Sequence, residues 1–172
     1  MTMNKILIRK AKVGDEKGIV ELRKEAFRRN NWIYTGSNKA PDNKKLKSWR
    51  EKFRKGYPSI SFMAIDKEKN KIIGSIYGEF KKEGRMKHRI SLGWGLHPDY
   101  QGRGIGTRLL KELILEAKKR KFRRLEAEMA KENIASWKLA KKCGFNIEGT
   151  KKEAMLTDDG RYIDTYIVGK IL

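Results

Sequence analysis

The feature that most constrains this chain is a glycine-rich segment that joins a predicted strand to a predicted helix. It covers residues 96–106 (LHPDYQGRGIG), in which Gly102, Gly104 and Gly106 alternate with other residues. Glycine adopts the left-handed backbone angles of tight turns and lets the backbone approach a ligand closely. Apolar residues at helical spacing follow: Ile105, Leu109, Leu113, Ile114 and Ala117. Because unpaired N–H groups and the helix dipole coincide at such a helix N-terminus, the segment indicates a phosphate-bearing cofactor.

The spacing of these glycines excludes two common phosphate-binding loops. A Walker A loop ends in Gly-Lys-Ser/Thr, which this segment lacks. In the dinucleotide fingerprint G-x-G-x-x-G, the third glycine would fall on Thr107. Taken alone, the segment is equally consistent with a left-handed turn that caps a helix.

A second segment, residues 133–145 (NIASWKLAKKCGF), predicts a capped amphipathic helix. Asn133 is a favourable N-cap residue, and Gly144 can end the helix in the left-handed conformation. One buried face is expected to consist of Leu139, Ala140 and Cys143. Alone, this pattern is that of an ordinary capped helix.

Together the two segments resemble the GNAT superfamily of N-acetyltransferases. The series Gln101-x-x-Gly104-x-Gly106 is similar to its pyrophosphate loop, Gln/Arg-x-x-Gly-x-Gly/Ala, and residues 133–145 are similar to its later helix. Two further segments, 148–150 and 160–164, resemble the branch related to ribosomal-protein, polyamine and amino-acid acetyltransferases. The resemblance covers roughly residues 5 to 171.

The predicted elements follow the order β-α-α-β-β-β-α-β-α-β-β, which is the order of the GNAT fold. The resemblance implies an α/β (α+β) fold with a mixed, mostly antiparallel sheet, splayed between two middle strands and covered by helices on both faces. Gly93 and Gly95 lie within a predicted strand, where they indicate a bulge or a close backbone approach. No repeat or linker is present, so residues 1–172 are expected to form a single N-acetyltransferase domain.

Charge is the most unusual property of the composition. The chain has 42 basic and 21 acidic residues, a net charge of +21, which attracts anionic ligands and polyanions. A solvated, lysine-rich surface would have the same composition. The single cysteine, Cys143, excludes an intramolecular disulfide, and with two histidines it makes no metal-ligand cluster. Residues 1–5 begin no long apolar run, so neither a signal peptide nor a membrane span is expected and a cytoplasmic location is predicted.

The resemblance implies that acetyl-CoA is the co-substrate and lies along the splay. Backbone groups of Trp94, Gly95 and Leu96 would pair with the pantetheine arm, and their amides would stabilise the oxyanion of the reaction. The expected pyrophosphate loop consists of Gln101, Gly102, Arg103, Gly104, Ile105, Gly106 and Thr107.

Three residues of the later helix would complete the cofactor site. Asn133 would bond the pantetheine, and Lys138 and Lys141 would reach the ribose phosphate or the adenine. For each lysine, a purely solvated role is the alternative.

Acetyl transfer by direct attack requires a base for the amine proton and an acid for the departing thiolate. Glu128 matches the position of the base in relatives that acetylate ribosomal-protein N-termini. Glu126, on the same face of the strand, and Glu79, on the preceding hairpin, are the alternative bases. Many relatives hold a Tyr where this chain has Ala140, so water, another residue such as Tyr166, or the free thiolate would serve instead.

The acceptor is expected to be chosen by residues 28–57. Within this segment, the side chains expected to shape an amine pocket are those of Trp32, Tyr34, Asp42 and Trp49. Few carboxylates occur there, only Asp42 and Glu51, which argues against a dedicated polyamine enzyme. The expected acceptor is a small amine or a protein N-terminus, and dimers are frequent in the family. The alternative is a basic RNA- or ribosome-associated module that kept the fold and lost catalysis.

Overall fold

The structure, a computed structural model, describes residues 5–29, 43–55 and 59–172. Its helices and strands follow one another in the predicted order: β1 (Ile6–Lys10), α1 (Glu16–Arg29), α2 (Asn43–Lys55), β2 (Ser59–Asp66), β3 (Lys71–Phe80), β4 (Arg89–Leu96), α3 (Ile105–Lys119), β5 (Arg124–Ala130), α4 (Ile134–Lys142), β6 (Asn146–Leu156) and β7 (Tyr162–Ile171). A short 3₁₀ turn, Pro98–Tyr100, links β4 to the glycine segment.

The strands form one sheet in the order β1-β2-β3-β4-β5-β7-β6. Within the described residues, β4 and β5 form its parallel pair and the other neighbours are antiparallel. The parallel register runs from Arg89 opposite Arg124 to Leu92 opposite Ala127, whereas both strands continue further. The two middle strands therefore separate beyond Leu92, and the predicted fold class, including its splay, is confirmed.

Helices cover both faces of the sheet, as predicted. On the face that we call the α3 face, α3 packs its buried side chains, among them Leu109 and Leu113, against strand residues such as Ile76. On the opposite α1 face, Leu22 of α1 packs against Met63 of β2, with α2 beside it. The predicted apolar series of α3 is buried throughout, and truncation of a fully buried leucine in it costs about 2–5 kcal/mol. No helix within these described ranges is long and apolar enough to cross a membrane.

The bulge that the two strand glycines suggested in β4 is absent. The β3–β4 register runs unbroken from Gly74 opposite Leu96 to Phe80 opposite Ile90. Gly93 is explained by a close approach, since a Cβ at this position would overlap the Tyr77 ring. Gly95 differs, because the space that its Cβ would occupy is open. The approaching group is thus a side chain rather than the backbone.

Candidate active site

The separation of β4 and β5 opens a cleft of about 500 Å³ that reaches both faces of the sheet. On the α3 face it is lined by the glycine segment and by α4, and on the α1 face by residues of α1 and β3. Beyond Leu92 and Ala127, β5 offers β4 no ladder partner, so one edge of β4 borders the cleft. A ligand entering from the α3 face therefore meets the glycine segment and an open strand edge together.

All but two of the residues expected to bind the cofactor line this cleft. The residues that do so are Trp94, Gly95, Leu96, Gln101, Gly102, Gly104, Ile105, Gly106, Thr107, Asn133 and Lys138. Among the described residues, Arg103 and Lys141 are not in this lining. The Arg103 guanidinium instead donates to the carbonyl oxygen of Asp99 at 2.8 Å and lies over the Tyr100 ring, 5.3 Å from its centroid.

Two lysines of α4, Lys138 and Lys142, line the cleft. They are four residues apart, so they lie close together on one side of the helix. Lys142 was not among the residues expected from the sequence. Helical spacing alone does not select it, because Lys141 is three residues from Lys138 and neighbours it as well.

The glycine segment begins α3 as expected. Gly104 is the N-cap residue at φ +74°, and Gly102 has φ +73°, conformations that a side chain disfavours. No side chain caps the helix, and a Cβ on either glycine would meet no atom within 4 Å. Gly106 has another role, since its Cβ would lie 3.0 Å from Leu139 Cδ2, so it permits close packing of α3 on α4. The uncapped amides and the open space fit a bulky anion.

A buried hydrogen bond anchors the turn before the glycine segment. The Tyr100 hydroxyl donates to Asp66 Oδ2 at 2.7 Å, and Asp66 also accepts the N–H groups of Glu68 and Lys69. Burial, together with this hydrogen bond, raises the pKa of Tyr100 to about 12. The same hydrogen bond is the largest cause of the lowered pKa of Asp66. This contact joins the loop to the β2–β3 turn, and no local sequence pattern predicts it.

The capped helix predicted at residues 133–145 is confirmed. Asn133 Oδ1 accepts the N–H of Ser136 at 3.2 Å, and Gly144, at φ +83°, follows the C-terminus of the helix. Ala140 is fully buried, whereas Leu139 and Cys143 are partly buried on the same side. Because Ala140 is enclosed in the core, the position that carries Tyr in many relatives presents no group to the cleft.

Glu128 lies in the cleft lining, where its carboxylate contacts the side chains of Lys151 and Thr165. Its Oε2 atom lies 2.6 Å from the Lys151 ammonium, and its Oε1 atom accepts the Thr165 hydroxyl at 2.7 Å. Thr165 is fully buried, so its hydroxyl is held in place. The Glu128 carboxylate is therefore fixed beside the opening between β4 and β5.

The two alternative bases lie elsewhere. Glu126 forms ion pairs with Arg89 at 3.3 Å and Arg124 at 3.2 Å, and Glu79 forms an ion pair with Lys52. Neither is among the described residues that line the cleft. The shared face of Glu126 and Glu128, predicted from strand alternation, is confirmed by the burial pattern of β5.

Tyr166 is on the other face of the sheet from Glu128. Side chains alternate along β7, so Thr165, which bonds Glu128, and Tyr166 point to opposite faces. The Tyr166 ring packs edge-on against Trp137 of α4, with 6.2 Å between centroids. Trp32, Tyr34 and Asp42, which were expected to shape the amine pocket, are outside the described residues.

Two cleft residues on the α1 face were missed by the sequence reasoning. Tyr77 of β3 lies over Gly93, and Arg23 of α1 lines the same part of the cleft, its guanidinium 5.4 Å from the centre of the Trp49 ring. Burial raises the pKa of Tyr77, and Arg23 partly opposes that rise. Tyr77 therefore keeps its proton at neutral pH.

Comparisons with known proteins agree with this geometry. The profile of the Acetyltransferase (GNAT) family matches residues 19–145. The L-amino acid N-acyltransferase MnaT of Escherichia coli (strain K12) is 27% identical over 158 residues, which cover 91% of this chain and 88% of that protein. A GNAT-family acetyltransferase from Streptococcus pneumoniae superposes with a TM-score of 0.88 at 24% identity, covering 97% of this chain and 99% of that one.

A phosphinothricin acetyltransferase from Sinorhizobium meliloti, solved in complex with AcCoA, has a TM-score of 0.83 at 24% identity and covers 98% of this chain and 89% of its own. These similarities establish the fold, and the profile match extends over more than half of the sequence. This chain therefore belongs to the Acetyltransferase (GNAT) family.

Proposed function

We propose that this protein transfers an acetyl group from acetyl-CoA to a primary amine. The observation that carries the proposal is that a single cleft joins the glycine segment on the α3 face to the Glu128 carboxylate on the α1 face. The AcCoA complex of the S. meliloti relative supports this choice of co-substrate. A thioester supplies an activated acyl group, so the protein has to bind it, orient the amine and remove a proton.

The cofactor would be held by backbone and side chains of the α3 face. The free amides at the start of α3, next to Gly104, would bind its pyrophosphate. Lys138 and Lys142 would contact its other phosphate, and Asn133, which also lines the cleft, would bond the pantetheine arm. The open edge of β4 at Trp94 would pair with that arm as a strand does.

On the α1 face, Glu128 would take the proton of the attacking amine. Its partners Thr165 and Lys151 hold the carboxylate in one orientation, as a general base requires. No side chain at Ala140 reaches the cleft, so the departing thiolate would take its proton from water. A free thiol has a pKa of about 8.5, which makes the thiolate a tolerable leaving group.

Two measurements test this function. Acetyl-CoA at millimolar concentration should raise the melting temperature by mass action, and an amine should then release free CoA. The acceptors to screen are free amino acids, polyamines, aminoglycosides and N-terminal peptides. Absence of a thermal shift would show the cofactor assignment to be wrong. A thermal shift without CoA release from any amine would favour the non-catalytic basic module, whose RNA binding should weaken steeply with salt.

A further inference from the structure

We propose, building on the acetyl-transfer function above, that the acceptor is a small amine bearing a carboxylate, as a free α-amino acid does, and that Arg23 and Tyr77 bind that carboxylate. Both side chains line the cleft on the α1 face, where Glu128 lies too. The recognition of the acceptor would thus have two ends, a carboxylate end at Arg23 and an amine end at Glu128.

On the α1 face, the part of β4 that borders the cleft has glycines at two successive positions, Gly93 and Gly95. Tyr77 is opposite Gly93, and Ser75 is opposite Gly95, so the two glycines share the α1 face of β4. A Cβ on Gly95 would meet nothing within 4 Å, whereas the Tyr77 ring covers Gly93. A small acceptor therefore has room over Gly95, with the Tyr77 hydroxyl at its edge.

Arg23 supplies the positive charge at that edge. It projects from α1, which packs on the sheet through Leu22, and the Arg23 guanidinium lies over the Trp49 ring. Arg23 and Tyr77 both line the cleft on the α1 face, so one ligand bound there can meet both groups. A guanidinium presents parallel N–H donors that match a carboxylate, and the protonated Tyr77 hydroxyl adds a third donor.

The strand order separates the two ends of the site. Tyr77 is on β3 and Glu128 on β5, with β4 between them. Neighbouring strands lie about 4.8 Å apart, so β3 and β5 are about 10 Å apart or more where the sheet splays. The two ends of the site therefore lie on opposite sides of β4, and a small acceptor that reaches both would lie across this strand.

The charge on this face argues against a polycationic acceptor. Glu128 is the carboxylate that lines the cleft among the described residues, and Lys151 already pairs with it. The neighbouring helix α2 is strongly basic: its ionisable side chains with described surroundings are Lys47, Arg50, Glu51, Lys52, Arg54 and Lys55. A polyamine would be repelled there, whereas an anionic group is attracted.

Wild-type enzyme and matched acceptors test the proposal without any substitution. The twenty L-amino acids and their amides are compared as acceptors, with free CoA as the readout. The expected result is a kcat/KM at least 10-fold higher for the preferred amino acid than for its amide. An amide that reacts as fast as its acid would overturn the carboxylate site and leave acetyl transfer standing. No release of CoA with any amine would overturn the acetyl-transfer function as well.

Substitution of Arg23 assigns the site to residues. Arg23→Gln should raise KM for the amino acid at least 10-fold and leave kcat/KM for the amide within 2-fold, and Arg23→Lys should restore part of the loss. Tyr77→Phe should act in the same direction and more weakly. Lys24→Gln, an exposed neighbour on α1, is the matched control and should behave as wild type. Equal losses for acid and amide in Arg23→Gln, at unchanged melting temperature, would overturn the assignment.

Discussion

Glu128 and Lys151 form an ion pair that spans a strand, since β7 lies between β5 and β6 and the ammonium of Lys151 still reaches to 2.6 Å from Glu128 Oε2. The intervening strand contributes Thr165, whose hydroxyl donates to the other carboxylate oxygen. Both oxygens are thus positioned, and the carboxylate cannot swing away from the cleft without breaking two contacts. This arrangement is what a general base requires, and it makes the role of each partner separable by substitution.

Replacing Glu128 by Gln should lower kcat/KM at neutral pH by roughly 10²-fold, because the amide cannot accept the proton of the attacking amine. The size and the Thr165 contact of the side chain are retained. Steady-state acetylation followed by CoA release measures the effect, and a melting curve with acetyl-CoA checks that the cofactor still binds.

Glu126→Gln is the matched control for this change. Glu126 is on the same strand face but pairs with Arg89 and Arg124 and does not line the cleft, so its activity should stay within a few-fold of wild type. Equal activity of Glu128→Gln and wild type would exclude Glu128 as the base.

Removal of Lys151 should change the pH dependence of catalysis. A positive charge within 4 Å favours the ionised carboxylate, so without it Glu128 would hold its proton to higher pH. In Lys151→Met we expect the acidic limb of the kcat/KM profile to move up by about one pH unit. Lys152→Met, which removes the neighbouring ion pair with Asp164, should leave the limb in place. Identical limbs in all three proteins would show that Lys151 does not act on the base.

The lining of the cleft on the α3 face was predictable because the patterns that indicate it are local in sequence. The turn at Gly102 and Gly104 and the cap at Asn133 depend on residues within one or two turns, and local propensities describe such geometry well. Lys138 and Lys142 line the cleft and Lys141 does not, a distinction that helical spacing alone does not make, because Lys141 and Lys142 both neighbour Lys138.

The lining of the cleft on the α1 face depends on tertiary contacts, and no local pattern predicts them. In the sequence, Tyr77 has the pattern of an ordinary strand residue. Only the pairing of β4 with β3 places it over Gly93. Lys151 of β6 reaches Glu128 of β5 across β7, the strand that lies between them. A register shift in the β6–β7 pair follows Lys151. Such pairings join residues far apart in the chain, so a single sequence offers Glu128 as a candidate base but does not show its surroundings.

Alanine at Gly93 should affect stability, whereas alanine at Gly95 should affect binding of the acceptor. A Cβ on Gly93 overlaps the Tyr77 ring, so Gly93→Ala should displace that ring and lower the free energy of unfolding by about 1–3 kcal/mol. Gly95→Ala meets open space and should keep the melting temperature, while the methyl group occupies the acceptor floor and raises the acceptor KM. Urea unfolding and steady-state kinetics separate the two. A destabilised Gly95→Ala would contradict the open floor.

The Tyr100–Asp66 hydrogen bond should appear as an alkaline loss of stability. Because folding raises the pKa of Tyr100 to about 12, above the ordinary value near 10, its contribution is complete below about pH 10 and is lost as the pH rises to about 12. Tyr100→Phe leaves Asp66 with one partner fewer and should cost about 1–3 kcal/mol at pH 7.

Urea unfolding across pH measures this contribution. The difference in the free energy of unfolding between wild type and Tyr100→Phe should be constant from about pH 6 to 9 and shrink towards pH 12. Tyr162→Phe, at an exposed tyrosine, is the control and should match wild type throughout. A difference that stays constant to pH 12 would contradict the hydrogen bond.

Glutamate at Gly104 should abolish cofactor binding for a reason separable from folding. Gly104 has φ +74° and Gly160, in the β6–β7 turn, has φ +83°, and a Cβ on either meets nothing within 4 Å. Both glutamate variants should therefore lose about 1–2 kcal/mol through backbone strain alone. Only Gly104→Glu places a carboxylate at the N-terminus of α3, where it would repel the pyrophosphate. Gly160→Glu should keep the full rise in melting temperature with acetyl-CoA, and Gly104→Glu should show none. A full rise in Gly104→Glu would mean that the cofactor phosphates bind elsewhere.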